Sequence, residues 1–538
     1  MYFFDSPSSP VHDFFKRIIK WYPARQSGIF LLNERADSAM HQLLMFSKRG
    51  GRKMRNLVSF SLVFILIFSA GGYIMGMTVP DAIQKMIDGG EFKAAQAALE
   101  KEAQKEGLTE KQKKSLLFEV ERLNRIPYDF RLTEEDVLQR LQESIPDATM
   151  DDVTSWTKTG ALESRLIEGK RLYFTRAVSN LFLLNKDASS RRKVKPKEDA
   201  IPISEEGEIK DLRIHAKNAI EARKKSKTPT VTPQRFKIEY TLSVKPGEVP
   251  EGKTIRCWLP YPKEVPTQTD IVLLDSFPGN PIIASNEKDQ RTIYMERPAE
   301  KDKPTTFSIA FQYTAWAFVE PIDPAQIKPY DTKKEVYKDF TMERPPHIVF
   351  TPEIKKLAKE ICGDEQNPYL KAKKIFAWVD ANIPWSGAIE YSTVPNLSMR
   401  ALTRRTGDCG MQGLLFITLC RYSGIPARWQ SGWSLKPGGV NLHDWTQFYV
   451  EPYGWLYADP SNGLMKSDKE EIRWYNFGNF DRYRLIVNSN YGMELEPKKT
   501  HFRSETVDFQ RGEVEWEGSN LYFDKWTYRM KVTPLGAK

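Results

Sequence analysis

Cys409 opens the run Cys-Gly-Met-Gln-Gly-Leu-Leu-Phe-Ile-Thr-Leu-Cys-Arg-Tyr, whose apolar residues recur at helical spacing, and the turn and cap residues Gly407-Asp408 precede it. A cysteine so placed begins a helix. Unpaired N–H groups and the macrodipole there favour a thiolate, so its pKa is expected to fall from about 8.5 toward ~4–7 beside a protonated imidazole. A thiolate is the attacking species in cysteine acyl transfer. The chain has six histidines. His12 and His41 precede a long apolar run, His215 falls in a polar stretch, and His347 and His501 have no accompanying motif, which leaves His443 as the candidate base. His443 opens one predicted strand and Asp459 closes the next, so nucleophile, base and orienting carboxylate can meet at one sheet end. Taken singly, Cys409 reads as a small buried hydrophobe and Asp459, before Pro460, as a turn residue; the order of the three gives the chemical reading.

Strand register imposes a condition. A two-residue turn at Pro452-Tyr453 sets Asp459 opposite Thr446, on the wrong face for His443. An odd-length loop or a bulge is therefore predicted between the two strands.

Three separate motifs agree in order and spacing: Gly-Asp-Cys at the helix start with Cys-Arg-Tyr-Ser-Gly-Ile-Pro-Ala-Arg at its end, His443-Asp444-Trp445 at the head of a strand, and Asp459-Pro460 after the next. With 34 residues from Cys409 to His443 and 16 more to Asp459, this pattern resembles the transglutaminase-like (papain-related) superfamily of bacterial type over about residues 350–465. The resemblance implies an α+β catalytic core, with Cys409 as nucleophile, His443 as general base and acid, and Asp459 orienting the imidazole. It implies a cysteine-dependent amide hydrolase or acyl transferase acting on a peptide, protein or other amide through a thioacyl intermediate. Members include cross-linking acyl transferases, peptidases and amidases. Hydrolysis is favoured, since an exported enzyme meets water at far higher concentration than any acceptor amine. A protein-glutamine cross-linking transferase and a non-catalytic envelope scaffold on the same fold are the alternatives. No acidic loop supports calcium dependence, no Cys/His spacing suggests a metal, and no cofactor is expected.

The oxyanion hole is expected to use the Cys409 backbone N–H, with Trp385 or the Gln412 side chain as a second donor. Trp429, Trp433, Trp445 and Trp455 read as sheet core more readily than as a substrate platform. Cys420 lies eleven residues past Cys409, about 16 Å along a helix, too far to pair with it. Cys257, Cys362 and Cys420 read as buried thiols, although an oxidising compartment would permit a Cys257–Cys362 bridge.

The elements that must position these groups fall into a multidomain chain: a helical N-terminal domain, a β-sandwich and the α+β core. Residues 80–185 are predicted helical over Asp81–Lys105, Glu110–Leu123 and Glu134–Ser144, with a small hairpin turning at Glu168-Gly169-Lys170. That combination can form a winged-helix shape, read here as an interaction or spacer domain. Residues 186–232, rich in Lys, Ser and Pro, are the predicted linker. Alternating strands over 233–330 predict the β-sandwich. The core occupies 331–495, entered through the N-cap signal Thr351-Pro352-Glu353, and 496–538 is a β-rich extension.

Charge and targeting bound the setting. The net charge of +10 is concentrated in residues 1–79, which carry +6, so the remainder has no phosphate-binding surface and no nucleic-acid partner is expected. Residues 57–77 are apolar and uncharged, with five cations just before them. A signal peptide with its hydrophobic region at Leu57–Phe68, or a retained membrane anchor, satisfies this pattern. Either exports the remainder, which would be periplasmic, secreted or anchored outside the cytoplasm. Met54-Arg55-Asn56 is a natural start for the segment 54–79, which makes 1–53 an upstream mis-start or a cytoplasmic extension.

Overall fold

A computed structural model describes residues 79–193, 205–437 and 439–536. The predicted extension and export segment therefore lie outside the described residues. Among the described residues, no helix is long and apolar enough to cross a membrane.

The N-terminal region follows its local signals. Helices α1 (Asp81–Asp88) and α2 (Phe92–Ala103) replace the single predicted helix, because Gly89-Gly90 interrupts it. α3 (Glu110–Asp129) starts at a capping box in which the Thr109 side chain accepts from Gln112 N–H. It continues past the predicted end. Strand β1 (Phe130–Leu132), α4 (Glu134–Gln142), α5 (Met150–Lys158) and the hairpin β2 (Ser164–Ile167) with β3 (Lys170–Phe174) follow. The three strands pair in the order β1-β3-β2, a small sheet within the helical region. α6 (Ala177–Leu184) and α7 (Lys186–Arg191) complete the region.

The predicted linker is corrected in part. Residues Glu205–Lys225 form helix α8, and Ala216, Ala219 and Ile220 bury against Val231, Ala317, Ile472 and Tyr475. Abundant lysine masked a short apolar face that other parts of the chain cover.

Strands β4 (Thr230–Val244), β5 (Thr254–Pro260), β6 (Gln268–Phe277), β7 (Ile282–Ile283), β8 (Thr292–Pro298) and β9 (Thr305–Phe318) follow; β4 and β9 alternate inward and outward residues, whereas β5 and β8 each carry four buried residues in a row. They do not close a separate domain at residue 330. Helices α9 (Glu335–Thr341), α10 (Pro352–Cys362), α11 (Pro368–Asn382), α12 (Leu397–Arg404) and α13 (Cys409–Tyr422) come next. Strands β10 (Ala427–Ser434), β11 (Asn441–Val450) and β12 (Gly454–Ala458) lead to helix α14 (Glu470–Arg473). After β13 (Phe477–Gly478) and β14 (Arg484–Asn488), the tail forms β15 (Glu513–Trp516), β16 (Ser519–Asn520) and β17 (Trp526–Leu535).

All strand pairs are antiparallel. One sheet runs β16-β15-β5-β8-β7 and another β17-β4-β9-β6, so the tail supplies a partner to β5 and to β4. Phe236, Tyr240, Trp258 and Phe311 share one buried core with Trp433 and Leu485 of the third large sheet, β13-β12-β11-β10-β14. The strands between Glu513 and Leu535 are thus paired within the sheets. α13 packs on the third sheet, with Phe416 against Phe448 and Gly413 beneath Thr446.

Candidate active site

α13 begins and ends as its sequence dictates. The N-cap Asp408 accepts from Met411 N–H at 3.2 Å. At the other end Gly424 takes a positive φ of 78°, and Ile425 N–H returns to the Cys420 carbonyl at 2.9 Å. Cys409 occupies the first helical position. Of the four cysteines it alone is not buried, and all four are free thiols, so Cys257 and Cys362 are not bridged.

The condition on register is met by a three-residue loop. Val450 pairs with Gly454 and Thr446 with Ala458, which sets Asp459 level with Trp445 and on the face of His443. The His443 Nε2 and Asp459 Oδ2 lie 2.6 Å apart. Asp459 also accepts from the N–H groups of Ser461 and Asn462, the Asn462 amide and the Arg484 guanidinium. Burial opposes its ionisation, but Arg484 and His443 outweigh it and hold the carboxyl far below its usual range. Arg484 pairs with Asp481 as well, so the cation is fixed between two buried acids. Burial lowers the His443 pKa against the opposing pull of Asp459.

The sulfur has a different neighbour. Cys409 Sγ lies 3.4 Å from Oδ2 of Asp444, the residue directly after His443. The described contacts thus form two pairs, Cys409–Asp444 and His443–Asp459, carried by consecutive residues of β11 whose side chains leave opposite faces of the strand, so the expected meeting of Cys409 with His443 is not among the described contacts. The thiolate expected from the helix terminus is corrected accordingly. Desolvation of the sulfur, enclosed though the residue is not fully buried, then the Asp444 and Asp408 carboxyls, push the Cys409 thiol well above its ordinary value, and the Asp444 backbone N–H only partly offsets them. A helix end contributes about 1 kcal/mol, less than desolvation and like charge at contact distance.

The other predicted residues fall as follows. Trp385 is partly exposed and bridges in parallel to Gly407, so its segment runs beside the turn that delivers Cys409. Gln412 is buried and donates to the Ile383 carbonyl at 2.7 Å, which ties it to the backbone entering that segment. The amides of Gly410 and Met411 donate to Tyr391 Oη and Asp408, leaving the Cys409 N–H as the remaining amide of the first turn. Trp429, Trp433 and Trp445 are buried with their indole N–H groups on Ser431, Gln510 and Gln430, while Trp455 stacks on Arg428. All four build the sheet and its surroundings.

Three further residues escaped the sequence reading. Tyr391 Oη lies 2.8 Å from Asp408 and 3.1 Å from Asp444, and Gln510 Nε2 donates to both the His443 carbonyl and Asp444 Oδ1. Asp444 was visible within the His-Asp-Trp motif but had no assigned role. Neither Tyr391 nor Gln510 carries a local signal.

The segment holding Trp385 and Tyr391 also meets the helical region. Asn180 exchanges two hydrogen bonds with Gly387, Glu390 N–H donates to Asp129, and Arg400 pairs with Glu163 at 2.6 Å. A cleft of about 450 Å³ lies between the two regions, with Asn180 and Leu181 on one wall and Ser386, Gly407 and Met411 on the other.

Residues 355–460 match the model of the transglutaminase-like superfamily. The uncharacterized protein YebA of Bacillus subtilis is 24% identical over 154 residues, which is 25% of this chain and 20% of that protein. The match therefore spans a fifth of the curated relative's length. Among solved structures, a Cytophaga hutchinsonii protein described as a candidate cysteine protease covers 57% of this chain and 93% of its own, at 18% identity and a TM-score of 0.40. The periplasmic domain of TgpA from Pseudomonas aeruginosa covers 47% and 91%, at 14% identity and a TM-score of 0.22. The motif order, the helix that starts at Cys409 and the family match agree: residues 355–460 form a transglutaminase-like domain.

Proposed function

We propose that the protein is an exported cysteine enzyme that hydrolyses an amide or peptide bond, with Cys409 as nucleophile, His443 as base and acid, and Asp459 orienting the imidazole. The observation that carries this reading is the 2.6 Å His443–Asp459 pair, one residue along β11 from the Asp444 that contacts the cysteine at the capped helix start. Asp459 occupies Nε2, so Nδ1 is the nitrogen that takes the thiol proton once imidazole and sulfur are brought together. The sulfur then attacks the carbonyl carbon, and the developing oxyanion is met by the Cys409 N–H. The amine leaves with a proton from His443, water adds to the thioester with His443 as base, and the carboxylic acid departs. Trp385, beside the Cys409 turn, is the better of the two expected second donors, because Gln412 is already bonded to Ile383. Export rests on the cations before the uncharged run 57–77.

Incubation with a casein digest and a labelled primary amine tests the reaction. New N-termini, absent with Cys409→Ala, are the expected result. Label uptake without new N-termini would mean acyl transfer to amines, and neither product would leave a binding or scaffold protein.

A further inference from the structure

The carboxyl of Asp444 is buried at the Cys409 sulfur, yet the proposed reaction assigns it no part. Its surroundings explain why an acid tolerates that position. Oδ1 accepts from Gln510 Nε2 at 2.8 Å and Oδ2 faces both the thiol and the Tyr391 hydroxyl. That hydroxyl also lies 2.8 Å from Asp408 and accepts the Gly410 N–H at 3.1 Å. A hydroxyl has one proton, so it donates to one carboxyl at a time and leaves the other to hold a proton of its own or to repel its neighbour. The fit is tight: a Cβ added at Gly410 would stand 2.2 Å from Tyr391 Oη and 2.8 Å from Asp444 Oδ2.

From this arrangement we infer that Asp444, held in place by Tyr391, keeps the proton on the Cys409 sulfur in the resting protein and so sets the pH at which the thiol becomes a nucleophile. The thiol S–H points to the carboxyl oxygen. Ionising the sulfur places a second negative charge 3.4 Å from the first, unless Asp444 has itself taken up a proton. Tyr391 acts through the carboxyls, as a positioning residue, by directing its O–H dipole against their charge. The ionisable groups around Asp444 come from three directions. Cys409 and Asp408 face it from α13, Tyr391 from the segment before α12, and Glu505 and Asp508 from the chain before β15. Apart from the thiol and the phenol these are acids, with the Arg511 guanidinium paired to Glu505 as the nearby cation, and the acids nearest the sulfur favour protonated states at this end of the helix. The inference deepens the reading of Cys409 as a nucleophile, but its test needs no substrate.

The experiment is iodoacetamide alkylation of the full-length chain from pH 5 to 10, read as the mass of the Cys409 peptide with Cys409→Ala as the assignment control. Asp444→Asn removes the charge and offers an N–H to the sulfur. Its midpoint should fall by a pH unit or more, which speeds labelling at pH 7 about tenfold. Tyr391→Phe removes the dipole that offsets the carboxyls, and its midpoint should rise. A merely structural role would lower thermal stability and leave both midpoints unmoved. A folded Asp444→Asn with an unchanged or raised midpoint overturns the inference. Should that variant not fold, Tyr391→Phe decides: an upward shift supports the inference and an unmoved profile overturns it. Failure to detect amide cleavage by the wild type would count against the proposed function and leave this measurement intact.

Discussion

His443 on β11 and Asp459, the residue just after β12, are two residues out of direct opposition, with Nε2 and Oδ2 2.6 Å apart. The three-residue loop 451–453 makes this possible by placing both side chains on one face. Asp459→Asn keeps the shape but removes the anion that orients and stabilises the imidazolium. Amide turnover is expected to fall by two to four orders of magnitude, with a far-UV spectrum matching the wild type.

Gly410 is the point where the helix start, Tyr391 and Asp444 come closest. Gly410→Ala forces the Tyr391 hydroxyl or the Asp444 carboxyl to move. The substitution is expected to cost about 1–3 kcal/mol despite the better helix propensity of alanine, read as a lowered urea midpoint. Alkylation of Cys409 should change with it, because both displaced groups touch the sulfur's surroundings.

Acid sensitivity has a definite source. His347 is buried and accepts the Leu397 N–H on Nδ1, and burial lowers its pKa from 6.5 to about 3. The unfolded chain therefore binds a proton that the folded chain refuses between those values. This contribution is complete above about pH 6.5 and is lost as pH falls toward 3, at about 1.4 kcal/mol per pH unit. Urea titrations at pH 6.5, 5.5 and 4.5 should show a shallower decline for His347→Asn than for the wild type.

Truncation after Gly512 removes β15, β16 and β17, uncovering the paired edges of β5 and β4 along with core contacts to Val514 and Trp526. The shortened chain is expected to aggregate or to lose cooperative unfolding, judged by size-exclusion chromatography and thermal melting. A soluble, cooperatively melting product would mean that the tail is an independent extension.

The legible features were those encoded by neighbours in sequence. Asp408, Gly424 and the apolar spacing between them define α13, and the alternation of β4 and β9 declares an inward face. An odd-length loop or a bulge followed from requiring two side chains on one face, and the structure has a loop of three residues. What escaped depends on distant chain. Tyr391 reaches Asp444 across 53 residues and Gln510 across 66, and neither has a local pattern. The strands after residue 512 read as a tail because their partners lie more than 200 residues upstream. The α8 helix was hidden because three small or aliphatic residues among many lysines do not announce a buried face. The thiol misled for a physical reason: a helix terminus favours the thiolate, but desolvation of the sulfur and two carboxyls outweigh it.

Acid-quenched intact-mass analysis during turnover of a peptide substrate tests the central claim most directly. The account predicts a transient acyl adduct on Cys409 that is sensitive to hydroxylamine, absent in Cys409→Ala and strongly diminished in His443→Ala. Turnover by Cys409→Ala at the wild-type rate, or an acyl adduct on another residue, would contradict it.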